Sequence, residues 1–132
     1  MTAVFGDAYY FIALLNDGDD DHARVVKMAR ELRAPIVTTE YIFIEVADAL
    51  AGLHHRKSFG AFVRKARALP PIEVIPAGGG LFEMGVSLYD ARPDKEWSLT
   101  DCISFEVMRL RRLRDALTAD HHFVQAGFRP LL

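Results

Sequence analysis

Residues 115–128 read DALTADHHFVQAGF. A short apolar run around "ALTA" (116–119) stops at an acid, Asp120, and gives way to a segment with helical character that ends at Gly127. That is the local pattern of a strand whose end turns into a helix. The same order recurs along the chain. "AVFG" (3–6) precedes Asp7 and the apolar "AYYFIALL" (8–15), and "PIVTT" (35–39), "IEVIP" (72–76) and "FRPLL" (128–132) are further short apolar runs. Strands that alternate with longer helical segments predict an α/β domain. Its helices would pack on a mostly parallel central sheet of four to five strands, joined by right-handed crossovers.

The 132 residues, 51% of them hydrophobic, are enough to bury one core, so a single domain over 1–132 is expected. A net charge of -2 gives no global field to attract nucleic acid, and any anionic partner must be held locally. The lone Cys102 cannot form an internal disulfide. The start "MTAVFGDAYYFIALL" shows neither a basic leader nor a cleavage site, which sets the expectation of a cytoplasmic protein. The apolar run Ala8–Leu15 is too short for a bilayer, so no membrane partner is expected. A helix is predicted from Thr39 to Leu53, with Ile42, Val46, Ala49, Leu50 and Leu53 on its core face, Glu45 at the edge of that face and Glu40 on the far side. Another is predicted from Asp21 to Arg33, where His22, Val25, Val26 and Ala29 share a face. Gly78-Gly79-Gly80 lies between a strand and a helix, but no Lys-Ser or Lys-Thr pair follows, so it reads as a turn.

In an open parallel sheet every strand ends at one edge, and ligands bind in the crevice outside those ends. Asp7 follows "AVFG", Asp120 follows "ALTA", Asp101 opens a helix containing Ile103, Val107 and Leu110, and Glu45 lies in the second turn after "PIVTT". Each aspartate alone is accounted for by helix capping, a stabilisation of roughly 1 kcal/mol, and Ser98 to Asp101 has the form of a capping box. Capping does not explain why all four acids share one edge. Two carboxylates about 5 Å apart repel by roughly 3 kcal/mol at an effective dielectric near 20. Four in one crevice therefore need protons or a cation. An all-oxygen set suits a hard ion, Mg²⁺ or Mn²⁺, which bridges to phosphate oxygens. Asp7, Glu45, Asp101 and Asp120 are thus the candidate metal ligands and catalytic residues.

The adjacent letters Asp120, His121 and His122 invite a mixed metal site. Consecutive residues at a helix start project about 100° apart, however, so the three are not expected to face one ion. At most one imidazole looks into the crevice. His121 reads as a solvated helix-start residue or else a group beside the substrate, and His122 as packing or solvent-facing.

On these residues the chain resembles PIN-domain ribonucleases, and more narrowly VapC-type toxins of bacterial type II toxin-antitoxin pairs. The matching stretches are "DAYYFIALLNDGDDDHARV" around Asp7, "VTTEYIFIEVADAL" around Glu45, "WSLTDCISFEVM" around Asp101 and "ALTADHHFVQAGF" around Asp120. The resemblance implies a PIN-like three-layer sandwich and Mg²⁺- or Mn²⁺-dependent endonucleolytic cleavage of RNA by metal-activated water. It also implies neutralisation by a cognate VapB-type antitoxin, and a homodimer. One departure stands out: members of the family commonly place Ser or Thr two residues after the first Asp, and this chain has Tyr9. Thr100 and Thr118 are the short hydroxyls left near the crevice.

An acidic crevice repels RNA unless basic groups hold it elsewhere. "HHRKSFGAFVRKAR" supplies Arg56, Lys57, Arg64, Lys65 and Arg67, and "RLRRLR" supplies Arg109, Arg111, Arg112 and Arg114. Either stretch is a solvated helix face or an RNA contact. Trp97 reads as a loop anchor or a base-stacking surface, and Cys102 as a small buried residue. Ile44 opposite the Ile42 face, and Phe105 with Met108 opposite Ile103, point to surfaces covered by a partner or by deeper burial. Two alternatives remain. One is a catalytically silent PIN domain that only binds protein or RNA. The other is a phospho-receiver-like signalling domain, which "VFGDAYY", with its single acid, and the lysine-free "FRPLL" both disfavour.

Overall fold

The computed structural model describes residues 2–68 and 72–132. The five apolar runs become strands β1 (Val4–Gly6), β2 (Ile36–Thr39), β3 (Ile72–Ile75), β4 (Asp115–Leu117) and β5 (Arg129–Pro130). All their pairings are parallel, in the order β3-β2-β1-β4-β5. Proline lacks an N–H for the ladder, and Pro130 accordingly falls on an edge strand. Among the described residues the helices are α1 (Ala8–Leu15), α2 (His22–Glu31), α3 (Glu40–Ala49), α4 (Leu53–Ala68), α5 (Leu81–Ala91), α6 (Leu99–Leu110) and α7 (His121–Gln125). None of these is long and apolar enough to cross a membrane.

Successive residues of a strand point to opposite faces, and β1 shows how both faces are covered. Gly6 lies under Phe11, whose ring packs on Phe43 of α3 and Phe62 of α4 at 5.5 and 5.4 Å. Phe5 points the other way, toward Phe123 of α7, which packs edge-on to Phe105 of α6 at 5.0 Å. Two aromatic clusters thus clamp one sheet, giving the expected three layers. Burial on both faces explains why β1 and β2 carry no exposed residue.

One predicted helix needs correction, and one open choice resolves. The helix predicted over 39–53 is two helices: α3 ends at Ala49, and α4 restarts after Ala51 and Gly52. Ile42, Val46 and Leu50 are buried as expected, but Ala49 is exposed, because the helix ends before the apolar stripe completes another turn. Phe105 and Met108 face no partner. They are 3% and 0% exposed, since α6 packs against other elements around most of its circumference. Ile44, by contrast, stays open at 56%. Gly78, Gly79 and Gly80 all have positive φ and form the turn into α5, as read from sequence.

α5 and α6 approach so closely that a Cβ on Gly85 would lie 2.4 Å from Ile103 Cγ1 and 3.4 Å from the Ile103 backbone nitrogen. Gly85→Ala is therefore expected to destabilise the fold by about 1–3 kcal/mol through overpacking, although alanine is the better helix former. Denaturant unfolding measures this; an alanine variant as stable as wild type would mean the helices separate without penalty.

Candidate active site

The chain runs β1 to β2 to β3 on one side of the sheet, then crosses to β4 and β5 on the other. The order therefore reverses between the neighbours β1 and β4, and the loops beyond their carboxyl ends diverge to leave a crevice. Asp7 is the residue after β1 and Asp120 the third after β4. Asp101 enters from the first turn of α6 and Glu45 from the second turn of α3. The structure brings together all four acids singled out from sequence.

Their mutual influence shows in their protonation. Asp7, only 7% exposed, has its pKa raised from 3.8 to about 7, chiefly by burial, with the charges of Glu45 and Asp101 adding to it. Burial likewise raises Asp101, helped by the charge of Asp120. Glu45 is raised too, by desolvation first and then by Asp101, Asp120 and Asp48. It keeps much of its surface in solvent, so its share of the repulsion is the most screened.

Hydrogen bonding separates Asp7 from an ordinary cap, whereas Asp101 and Asp120 do cap α6 and α7. Asp7 occupies the N-cap position of α1, yet its side chain accepts no capping bond from the first turn. Its Oδ2 instead accepts from the Thr118 hydroxyl at 2.8 Å, across 111 residues of sequence. The β1–β4 register makes this contact: Gly6 stands opposite Leu117, so the next residues of the two strands meet. The Thr118 hydroxyl also accepts from the Asp120 backbone N–H at 3.1 Å, so one fully buried hydroxyl ties two of the acids together. On the other flank, Thr38 donates to the Gly6 carbonyl at 2.8 Å and holds the end of β1 against β2. Asp101 does cap: Ser98 and Asp101 form a reciprocal capping box. Thr100 is not the cap of that helix; Ser98 is.

Tyr9 does not support Asp7. Its hydroxyl donates to Asp21 and accepts from Arg24 at 2.7 Å, pinning α1 to α2. The hydroxyl support that position 9 lacks comes from Thr118 on β4. Thr118→Val keeps the shape and removes both hydrogen bonds. We expect it to destabilise the protein by about 1–3 kcal/mol, with Thr118→Ser close to wild type. Equal losses for both variants in denaturant unfolding would assign the effect to packing.

His121 takes the solvated helix-start reading, and only His122 departs from expectation. His121 is exposed, with 75% of its side chain in solvent. His122 is the inward one, 20% exposed, with Nδ1 3.2 Å from Asp101 Oδ2 and 3.5 Å from Asp120 Oδ1. The ligand atoms of Asp120, His121 and His122 also come within 4.8 Å of one another, closer than a simple 100° fan allows, because the two rings lean together at 4.4 Å. Among the described residues the only comparable cluster is Asp17, His54 and His55, at the turn after α1 and the start of α4. The four carboxylates do not close on a point in that way. A hard cation that keeps several waters and takes one or two carboxylates directly fits such a spaced, all-oxygen set better than a soft, tightly ligated ion does.

Other sequence expectations resolve as follows. Trp97 is buried, donates to Gln125 Oε1 at 3.0 Å, packs edge-on to Phe105 and carries Arg92 over its ring, so it anchors a loop. Cys102 is buried and its thiol is pushed up by desolvation, which makes it an inert core residue. "RLRRLR" closes α6 and leads into β4, so it lies at the amino edge of the sheet and begins about 12 Å along α6 from Asp101. Arg111 there is already paired with Glu73, and Arg109 with Glu106. In the other stretch Arg67 is paired with Glu40, while Lys57, Arg64 and Lys65 are exposed on α4.

Comparison with known proteins places this arrangement. The chain is similar to the 23S rRNA-specific endonuclease VapC20 of Mycobacterium tuberculosis, with 25% identity over 126 residues and 95% of each protein covered. The crystal structure of that Mycobacterium tuberculosis toxin, described as cleaving the sarcin-ricin loop, superimposes with a TM-score of 0.85 at 23% identity, covering 95% of each chain. FitAcB from Neisseria gonorrhoeae gives 0.70 at 15% identity, covering 98% of this chain and 96% of that one. A toxin-antitoxin complex from Klebsiella pneumoniae gives 0.60 at 19%, covering 89% and 87%. The PIN domain family model matches residues 4–129, a span that holds all four acids, and the chain belongs to that family.

Proposed function

We propose that this protein is a metal-dependent endoribonuclease acting as the toxin of a toxin-antitoxin pair. The observation that carries the reading is the gathering of Asp7, Glu45, Asp101 and Asp120 at the β1–β4 switch point, with Asp7 buried and its pKa near 7. Carboxylates arranged for capping alone have no reason to be coupled across three loops. A bound Mg²⁺ or Mn²⁺ would neutralise them, act as a Lewis acid on a phosphodiester and lower the pKa of a water molecule. Asp7, Asp101 and Asp120 would hold the ion. Glu45, the most solvent-open of the four, would orient the attacking water and take its proton. Thr118 keeps Asp7 aimed at the crevice, so the unusual Tyr9 does not argue for a silent domain.

The substrate class follows from the family and from the curated relative, which acts on 23S rRNA. Ribosomal RNA is therefore the first substrate to test, ahead of tRNA and mRNA. The partner would be a VapB-type antitoxin. An open groove between α3 and α4, lined by Phe43, Ile44, Ala47, Phe59 and Val63, gives an apolar surface for it or for a second copy of this chain. Expression of the wild-type chain should arrest growth, the Asp7→Asn chain should not, and new RNA ends should map to discrete sites only with the former. Arrest by both, or RNA cleavage that survives chelation of divalent ions, would sink the proposal.

A further inference from the structure

We infer that His122 is a positioning residue of the carboxylate crevice, donating from Nδ1 to Asp101 and setting the geometry in which Asp101 and Asp120 take a divalent ion. The inference rests on the crevice reading above.

α7 is a short helix anchored by Phe123, which is fully buried between Phe5 and Phe105. That anchor fixes the residue before it. The His122 backbone N–H donates to Asp120 Oδ1 at 2.9 Å, and its ring turns inward until Nδ1 lies 3.2 Å from Asp101 Oδ2. An ionised carboxylate only accepts, so the proton of this bond sits on Nδ1. Asp101 Oδ2 then accepts twice, from His122 Nδ1 and from the Ser98 backbone N–H at 3.2 Å. Two donors thus hold the Asp101 carboxylate by this one oxygen. Among the described residues nothing donates to the other oxygen, Oδ1, which is left for a ligand.

The same imidazole stands 3.5 Å from Asp120 Oδ1. It therefore spaces the acid of α6 from the acid of α7 with a donor between them, where two bare carboxylates would repel. Hydrogen-bond partners of this kind around metal-binding carboxylates change metal affinity by about 10- to 100-fold when removed. A ring that merely filled space would show neither the two-donor arrangement at Oδ2 nor the contact with a second acid.

The ring nitrogens can be told apart by substitution. The side-chain amide nitrogen of asparagine stands near the place of Nδ1, and that of glutamine near Nε2. Mn²⁺ binding to the full-length protein, followed by electron paramagnetic resonance, should weaken at least about 10-fold in His122→Ala and His122→Gln and stay within about 3-fold of wild type in His122→Asn. Binding unchanged in His122→Ala, or retained by Gln and lost by Asn, would overturn the inference. Should His122→Ala fail to fold, the Asn and Gln pair decides alone. Asp101→Asn is the reference. If it binds Mn²⁺ like wild type, the crevice reading and this inference fall together; if it loses binding while all three His122 variants keep it, only the role of His122 is wrong.

Discussion

Asp101→Asn protein is expected to lose RNA cleavage by at least roughly 100- to 1,000-fold while remaining folded. The substitution keeps the size and shape of the side chain. Its carbonyl oxygen can still accept from the Ser98 N–H, so the capping box at the start of α6 survives in part. What disappears is one negative charge beside Asp120 and Glu45, both of which are coupled to Asp101. Loss of that charge weakens the hold on a divalent cation and relieves repulsion in the protein without metal. Thermal unfolding in EDTA should therefore show the variant at least as stable as wild type, even as cleavage fails. Mg²⁺ should raise the melting temperature of wild type more than that of the variant. Full cleavage by Asp101→Asn would break the four-carboxylate model. A variant that loses both activity and fold would show that Asp101 serves α6 first.

How much of this was legible in the sequence depends on which interactions are local. Each strand-to-helix switch is written in contiguous residues, so all five strands and the edge shared by the four acids could be read directly. Ser98 and Asp101, three residues apart, announced their capping box for the same reason. Features set by distant partners were not readable. Thr118 could be named from sequence as a short hydroxyl near the crevice, but that it bonds Asp7 emerges only from the β1–β4 register. His122 was expected to be the lesser of two histidines. The 3.6-residue geometry says that two adjacent rings diverge, but which one turns inward is decided by Phe123 and the tilt it gives α7. For the "RLRRLR" stretch a solvated face and an RNA contact stayed equally open, because charge pattern carries no record of sheet edge; position between α6 and β4 does. The apolar residues Phe105 and Met108 hinted at a partner only because periodicity alone cannot show that α6 is enclosed by its own domain.

Asp7→Asn should be more stable than wild type at pH 8 in the presence of EDTA, with the difference shrinking as pH falls and gone near pH 4. The sign follows from the direction of the shift. Folding raises the pKa of Asp7 from 3.8 to about 7, so the folded protein prefers the neutral carboxyl. Stability from this group is fully present below 3.8 and is lost as pH rises through about 7. Across that window the folded state holds a proton that the unfolded chain has released, and each pH unit of the gap corresponds to about 1.4 kcal/mol. Roughly 4 kcal/mol is the ceiling, and relaxation or water entry would lower it. Asparagine has no charge to desolvate and can still accept from Thr118, so it escapes the loss. Mg²⁺ should reverse the order at pH 8, because binding to the folded wild type replaces the missing proton with a cation. At pH 5 the proton competes and the metal effect should fade. Denaturant unfolding of both proteins at pH 5 and pH 8, with EDTA and with Mg²⁺, reads all four corners. A difference between wild type and variant that is the same at both pH values would mean that Asp7 ionises freely, and the buried acid would no longer explain why this crevice wants an ion.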